Sequence, residues 1–170
     1  MLKHAGELYI NKWGDVMNIE LSVVSEKELK KVWKMQKIGF AEWDKKYHEG
    51  KKSVANEPYK KILERFKRHG VIYHFILKDK EPIGVICVRT DETTGIKQIA
   101  PIWIMPDFIN QGYGQKAIKL LEEIHGTSGW ELRTGINEKR NIHFYEKLGY
   151  KKTERIETIN KYLSIITLVK

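Results

Sequence analysis

Apolar residues recur along the chain with two different spacings, one typical of strands and one typical of helices. Strands are predicted over 19–24, 71–77, 83–90, 96–105, 130–134, 150–158 and 162–169. Helices are predicted over 25–40, 58–66, 112–125 and 138–148. The resulting order, βααβββαβαββ, indicates a mixed α/β protein of the α+β type, with one central sheet and helices packed on it.

The signals between these elements refine the prediction. Ser25 and Glu28 have the spacing of a capping box, Pro58 suits the first turn of the second helix, and Gly149 is a C-cap for the last. The turns that separate the three strands after residue 70 are short, so these strands should form an antiparallel meander. We therefore expect a mostly antiparallel sheet of about six or seven strands.

Composition is that of an ordinary globular domain. The 170 residues are 41% hydrophobic and 31% charged, which suits a single domain over 1–170. Residues 1–16 fit the rest poorly, because Met17 looks like a natural start, and we interpret them as an N-terminal extension. No apolar run reaches the roughly 20 residues of a bilayer span. The N-terminus is too polar for a secretory signal and Cys87 is the single cysteine, so we expect a cytoplasmic protein without a membrane partner.

The chain is basic, with 31 Lys and Arg against 22 Asp and Glu and a formal charge of +9. Such a balance favours anionic partners: a nucleic acid, an acidic protein or a polyphosphate cofactor. Lysines of segment 27–37, however, occupy the polar positions of one predicted helix, which is typical of a solvated face. No dense basic block with interleaved aromatic residues is present, so a nucleic-acid partner is not expected.

One segment has the layout of a phosphate-binding turn. An apolar run ends at Pro106, and six residues later Gly112-Tyr113-Gly114 begins a helix. Glycines let an anion approach the unpaired N–H groups of a helix N-terminus, where the helix dipole also favours negative charge. Taken alone, the segment is equally well explained as a glycine turn that leads into a core helix.

The same turn also matches a dinucleotide-binding fingerprint. Residues 112–117 read G-x-G-x-x-A, and Glu131 lies about 20 residues on, where the acid that binds ribose belongs. That fold places the motif near the start of a doubly wound unit, whereas here antiparallel strands precede it and only 56 residues follow Gly114. Glu131 also falls at the start of its strand instead of the end. These positions argue against a dinucleotide site.

A second segment, residues 140–150, changes the interpretation of the first. Asn141, Phe144, Tyr145 and Leu148 share one face of the last predicted helix. Together the two segments resemble those of the GNAT superfamily of N-acetyltransferases, and the resemblance extends over nearly the whole chain. The family's loop, a Gln or Arg, two residues, Gly, one residue and a Gly or Ala, aligns with 109–114. Ile109 stands where the family has Gln or Arg, so the cradle would depend on backbone amides.

This resemblance implies a GNAT-like fold (the acyl-CoA N-acyltransferase fold), acetyl-CoA as the acyl donor and no metal. Strand residues 102–104 would bind the pantetheine arm through their backbone, and the loop would bind the pyrophosphate. Asn141 would take over a further cofactor contact, since Glu138 stands where the family often has asparagine. The implied cofactor-binding residues are Ile102, Trp103, Ile104, Asn110, Gln111, Gly112, Tyr113, Gly114, Gln115 and Asn141.

Tyr145 is the predicted catalytic residue, because a tyrosine at this place of the family acts as general acid beside the cofactor sulfur. The chemistry suits a phenol: with a pKa of about 10 it is neutral at pH 7, so it can hydrogen-bond the sulfur of the thiol, whose own pKa is about 8.5, and hand over a proton as the thiolate leaves. The alternative is a tyrosine packed in the core beside Phe144. The oxyanion of the intermediate would meet a backbone N–H near Ile104.

The acceptor side of the site is less defined by the sequence. The family's acceptor pocket maps to 40–58, where Trp43, Tyr47 and Glu57 could hold a cationic or amphipathic amine, although these aromatic residues could equally cover the sheet. No carboxylate stands on the third meander strand to act as base. The open candidates for the base are Glu20, Asp91, Glu92 or a water chain.

Other reactive residue types fit structural roles better. His74 and His143 each stand alone on a predicted element, and the histidines show no metal-ligand spacing. Cys87 lies in an apolar strand without a nearby base and reads as a small core residue.

The function expected is the transfer of acetyl from acetyl-CoA to a primary amine of a small molecule or peptide, by direct attack in a ternary complex. The alternative is a non-catalytic acyl-CoA-binding sensor or interaction domain with the same fold, which the missing strand carboxylate favours. Whether the sheet extends across a homodimer stays open.

Overall fold

A seven-stranded sheet runs through the protein, which we describe over residues 18–170 from a computed structural model. The predicted N-terminal extension lies outside the described residues. The strands are β1 (Ile19–Val23), β2 (Val71–Lys78), β3 (Glu81–Thr90), β4 (Lys97–Ile104), β5 (Trp130–Gly135), β6 (Lys151–Asn160) and β7 (Leu163–Val169). The helices are α1 (Leu29–Gly39), α2 (Ala41–Tyr47), α3 (Tyr59–Phe66), α4 (Tyr113–His125) and α5 (Lys139–Lys147).

The strand order confirms the predicted mixed and mostly antiparallel sheet. It runs β1-β2-β3-β4-β5-β7-β6, and only β4 and β5 are parallel neighbours. The parallel step follows from the α4 crossover that joins these two strands. The antiparallel meander of β2, β3 and β4 forms as the short turns predict.

The parallel pair separates after a short contact, and this separation creates the space for a site. Residues Lys97–Ile99 of β4 pair with Trp130–Leu132 of β5, and the pairing stops there. The rest of β4, up to Ile104, continues to pair with β3 alone. We call the opening between residues 100–104 of β4 and the end of β5 the split.

Helices cover both faces of the sheet and produce two hydrophobic cores. On one face α4 and α5 pack on the sheet through buried residues such as Ile118, Leu121 and Ile142. On the other face α1 and α3 do so through Leu29 and Ile62. Both cores reach the split, so a ligand there would touch both layers of the protein.

Two local features differ from the sequence-based prediction. Segment 41–57, for which no helix or strand is predicted, contains α2 and two short 3-10 turns, Gly50–Lys52 and Val54–Asn56. Pro58 is the N-cap of α3 and lies one residue before its first turn. The capping box is present, since the amide of Ser25 donates to the Glu28 carboxylate at 2.9 Å.

Among residues 18–170, no helix combines the length and apolarity needed to cross a bilayer.

Candidate active site

The turn before α4 presents a row of backbone amides that have no hydrogen-bond partner within residues 18–170. Gly112 is the N-cap with φ of 90°, a left-handed conformation that glycine adopts without strain. The first helical bond is donated by the amide of Lys116 to the Gly112 carbonyl at 3.1 Å. The amides of residues 112–115 therefore precede the helical ladder and point out of the helix end, where the dipole is positive. This set of amides, the cradle, is suited to an anion such as a pyrophosphate.

Side chains around the cradle are largely engaged elsewhere. Asn110, itself left-handed at φ 64°, accepts a hydrogen bond from Arg140. The Gln111 amide nitrogen donates back to the Asp107 carbonyl at 2.9 Å. Tyr113 is buried in the core under α4. Ile109 is 51% exposed, so the position that holds Gln or Arg in the family offers no polar group, and binding there would depend on backbone amides.

The cradle lies against the end of β4 and against α5. A methyl group built on Gly114 would lie 3.8 Å from a side-chain carbon of Ile104 and 3.7 Å from the ring of Phe144. An anion at the cradle would thus sit at the end of the split, and a chain attached to it could run along β4. Ile102 and Ile104 pack on the α4 core, whereas Trp103 is buried on the other face, edge-on to Phe40 at 5.6 Å. Only the backbone of Trp103 can face a ligand in the split.

A cavity of about 440 Å³ follows the split and is lined by residues of both layers. From β4 it is lined by residues 98–102, and from β5 by Leu132, Arg133 and Thr134. Asn141 and Tyr145, one helical turn apart on α5, line it from one layer, and Trp43 of α2 lines it from the other. The structure thus brings four predicted site residues to one cavity: Trp43, Ile102, Asn141 and Tyr145.

Tyr145 combines a packed ring with a position on the cavity wall. Its ring contacts those of Phe144 at 5.0 Å and Tyr150 at 6.2 Å, both edge-on. Burial raises the pKa of Tyr145 to about 12. The hydroxyl therefore stays protonated at neutral pH and can donate a hydrogen bond or a proton to an atom in the cavity.

Two predicted acceptor residues lie away from the cavity wall. Tyr47 is 4% exposed, and its hydroxyl donates to the Glu138 carboxylate, which also pairs with Lys46. Glu57 accepts two hydrogen bonds from the Arg65 guanidinium, at 2.6 and 2.5 Å. Trp43 does line the cavity, and its indole N–H donates to Glu49 at 2.8 Å. Of the three predicted acceptor residues, only Trp43 therefore meets the cavity.

None of the candidate bases lines the cavity. The Asp91 carboxylate accepts the amides of Thr93 at 3.0 Å and Thr94 at 2.8 Å, and these bonds, that of Thr94 above all, lower its pKa. Glu92 pairs with His69, and Glu20 lies on the edge strand β1. Nor does His143 line it, while His74 is buried beside His125.

Cys87 is a core residue, as predicted. Its side chain is fully buried among the residues under α1 and α3. Burial raises the pKa of the thiol to about 12, which leaves it protonated and unreactive. Residues 18–170 contain no group of three or more His, Cys, Asp or Glu side chains arranged to hold a metal ion.

Sequence reasoning missed the charge of the cavity. Among residues 18–170, no carboxylate lines the cavity but four arginines do: Arg65, Arg68, Arg89 and Arg133. They come from three separate stretches of chain, residues 65–68, β3 and β5, so no single local motif connects them. One signal was available, since Arg89 follows Val85 and Cys87 at alternate positions of β3 and therefore faces the α1 layer.

Comparisons with known proteins identify a matching family model and structures with the same fold. A sequence model described as the acetyltransferase (GNAT) family matches residues 37–150. The uncharacterized protein YrkN of Bacillus subtilis (strain 168) is 33% identical over 91 residues, which are 52% of this chain and 49% of YrkN. The chain thus aligns with about half the length of that curated relative.

Solved structures with the same fold include two named N-acetyltransferases. Spermidine N-acetyltransferase from Vibrio cholerae, in complex with CoA and spermine, has a TM-score of 0.68 at 13% identity, with 88% of this chain and 93% of that chain covered. The ribosomal-protein-S18-alanine N-acetyltransferase from Escherichia coli has a TM-score of 0.67 at 13% identity, with coverages of 89% and 92%. At these identities the similarity shows a shared fold.

Proposed function

The chain belongs to the GNAT family of acetyltransferases, and on that premise we propose that it transfers an acetyl group from acetyl-CoA to a primary amine. One observation carries the proposal: a single cavity brings the protonated Tyr145 of one layer together with Trp43 of the opposite layer and with β4 up to Ile102, two residues from the cradle's neighbour Ile104. A donor can enter from one layer and an acceptor from the other, as direct transfer in a ternary complex requires.

Acetyl-CoA fits the residues along the split. The amides of residues 112–115 would bind its pyrophosphate. The edge of β4 that faces the split is not paired with β5 beyond Ile99, so its backbone groups at 100–104 are available to the amide groups of the pantetheine arm. Asn141 lines the same cavity and would contact the arm near the thioester.

Tyr145 would then act on the leaving sulfur. The amine nitrogen attacks the thioester carbonyl carbon, and the tetrahedral intermediate collapses by breaking the C–S bond. The Tyr145 hydroxyl gives its proton to the sulfur, and the products are the N-acetyl amide and CoA with a free thiol. The proton lost by the amine passes to solvent, from which the phenolate of Tyr145 is reprotonated.

The cavity favours a neutral amine although no carboxylate lines it. The acceptor must lose its extra proton before attack, because an ammonium has no lone pair. The guanidinium groups of Arg68 and Arg89, which have no ion pair within residues 18–170, disfavour another positive charge there and so lower the pKa of a bound amine. A water molecule can then accept the proton, and a side-chain base is not needed.

Replacing Tyr145 with phenylalanine tests the mechanism. We expect Tyr145→Phe to lower kcat by about 100-fold, the lower end of the range for a general acid, with little change in acetyl-CoA affinity. Release of CoA thiol on a panel of primary amines measures the rate, and calorimetry measures the affinity. Tyr162→Phe is the matched control, since Tyr162 is 48% exposed and lies outside the cavity lining. Unchanged turnover of Tyr145→Phe across pH would remove the assigned role.

A second candidate function is an acyl-CoA-binding sensor without turnover. It is favoured by Ile109 at the cradle and by the cavity wall, to which the described part of the chain contributes no carboxylate. Acetyl-CoA binding without thiol release on any amine of the panel would establish the sensor, whereas amine-dependent thiol release would exclude it.

A further inference from the structure

The charge of the cavity is concentrated at the end away from the cradle. Arg89 donates to Gln98 at 2.5 Å, and Gln98 lies near the start of β4. The cradle lies beside Ile104 at the other end of the same strand. At about 3.3 Å per residue, the six steps from Gln98 to Ile104 span about 20 Å. Arg89 is therefore too far from the cradle to serve a pyrophosphate bound there, and Arg68 lies near Arg89, because the Val71 amide donates to the Arg68 carbonyl and Val71 pairs with Arg89.

Two of the four arginines are neutralised within the protein. Arg65 forms its two hydrogen bonds to Glu57 and a third to the Tyr73 hydroxyl at 3.0 Å. Arg133 pairs with Glu157 of β6, the strand on the far side of β7. These two guanidinium groups have structural partners and shape the wall of the cavity.

The other two arginines have no ion pair within residues 18–170. Arg89 has a neutral partner in Gln98, while Asp91, two residues on, is held by the turn amides of Thr93 and Thr94. Arg68 follows α3 and is exposed at the cavity. Each guanidinium keeps several N–H donors free, and their planar arrangement matches the oxygens of a carboxylate or phosphate.

We propose that the acceptor is a small primary amine that also carries a carboxylate or phosphate group, and that Arg68 and Arg89 bind this anionic group. The inference rests on the proposed acetyltransferase function and names its substrate class. A cavity of about 440 Å³ has room for a small molecule beside the acyl end of the donor. A polyamine would add positive charge to a wall of four arginines, so we expect poor use of the acceptor class named for the Vibrio cholerae relative.

Matched acceptor pairs test the charge preference directly. 5-Aminopentanoate and putrescine present the same aminobutyl chain with a carboxylate or a second ammonium, and phosphoethanolamine and ethanolamine differ by the phosphate. We expect kcat/KM to be at least tenfold higher for the anionic member of a pair. The same four compounds are titrated into the CoA-saturated protein by calorimetry, which measures acceptor binding without any reaction.

Charge-removing variants then assign the preference to residues. Arg68→Gln and Arg89→Gln should each raise KM for the anionic acceptor about tenfold, the effect of losing one charge-assisted contact. KM for the uncharged-tail amine ethanolamine and affinity for acetyl-CoA should change little. Lys67→Gln is the matched control, because Lys67 precedes Arg68, pairs with Glu26 at 3.4 Å and is not part of the cavity wall.

Each outcome separates this inference from the proposed function. Binding of the anionic member without thiol release would keep the arginine site and overturn the acetyltransferase. Equal or better use of putrescine, or calorimetric binding that does not favour the anionic member in either pair, would overturn the arginine site. Anionic preference that survives both Arg→Gln variants would overturn the assignment to Arg68 and Arg89.

Discussion

At the scale of single residues, Gly39 shows how tightly α1 is fitted to the sheet. It ends the helix directly against the indole of Trp103 on β4. A methyl group built on Gly39 would lie 2.8 Å from the Cγ atom of Trp103 and closer still to Cδ1. Such separations are below van der Waals contact, so either the helix or the indole must move.

We expect Gly39→Ala to lower the free energy of unfolding by about 1–2 kcal/mol. Alanine in place of a helical glycine would gain up to about 1 kcal/mol, but overpacking costs about 1–3 kcal/mol. Urea unfolding measures the change. Gly114→Ala is the control for stability, because its added methyl would have its nearest contacts at 3.7 and 3.8 Å. A Gly39→Ala protein as stable as Gly114→Ala would contradict the packing argument.

At the scale of the element, the cradle at the start of α4 depends on the conformation of the N-cap residue Gly112. Gly112 holds φ at 90°, which costs other residues about 1–2 kcal/mol and directs the amides of the first turn outward. Gly112→Ala should therefore weaken acetyl-CoA binding about tenfold, as measured by calorimetry. Gly50→Ala carries the same kind of strain at φ 57° in a turn with nothing within 4 Å, and it should leave the affinity unchanged. Equal losses in both variants would indicate general destabilisation.

Elements with strong periodicity could be predicted from the sequence, and weakly patterned ones could not. All seven strands and the four amphipathic helices lie where apolar spacing places them, within a few residues. Helix α2 was missed because only Tyr47 of its seven residues is buried, so it has no apolar stripe. Its formation depends on contacts with α1 and the 3-10 turns, which local sequence does not reveal.

The candidate site likewise has parts that could be predicted from the sequence and parts that could not. The cradle and Tyr145 could be located because each belongs to a local segment with its own spacing. The partner of Glu57 could not, since Arg65 meets it only once α3 has formed, and that pairing keeps the carboxylate from a ligand. The shared environment of Arg68 and Arg89 likewise arises when separate strands and helices meet.

At the scale of the whole molecule, stability should depend on pH through a buried histidine. His74 of β2 is 2% exposed, and its ring lies 5.4 Å from that of His125 at the end of α4. Burial, and secondly the charge of His125, lowers the pKa of His74 to about 4. The unfolded chain, with a histidine pKa of about 6.5, binds a proton in this window that the folded state does not. Folding is therefore favoured above pH 6.5 and weakened as pH falls toward 4.

We expect a loss of about 3 kcal/mol between pH 7 and pH 4 from this group, by the relation of about 1.4 kcal/mol per pKa unit. Urea unfolding across that range measures it. A His74→Leu variant should flatten the dependence, whereas His143→Gln, at an exposed position of α5, should preserve it. An unchanged slope in His74→Leu would assign the pH dependence to other groups.

The short contact between β4 and β5 affects how easily the sheet can bend. Strands β1 to β4 form one leaf of the sheet and β5, β7 and β6 form the other, and within the sheet the leaves are joined only through Lys97–Ile99 and Trp130–Leu132. Such a sheet can bend at this seam with the loss of few backbone hydrogen bonds. A ligand along the split would hydrogen-bond to the unpaired edge of β4 and pack against β5. While bound, it would connect the two parts of the sheet and restrict their relative motion. Acetyl-CoA bound as proposed would then set the stiffness of the whole sheet as well as supply the acyl group.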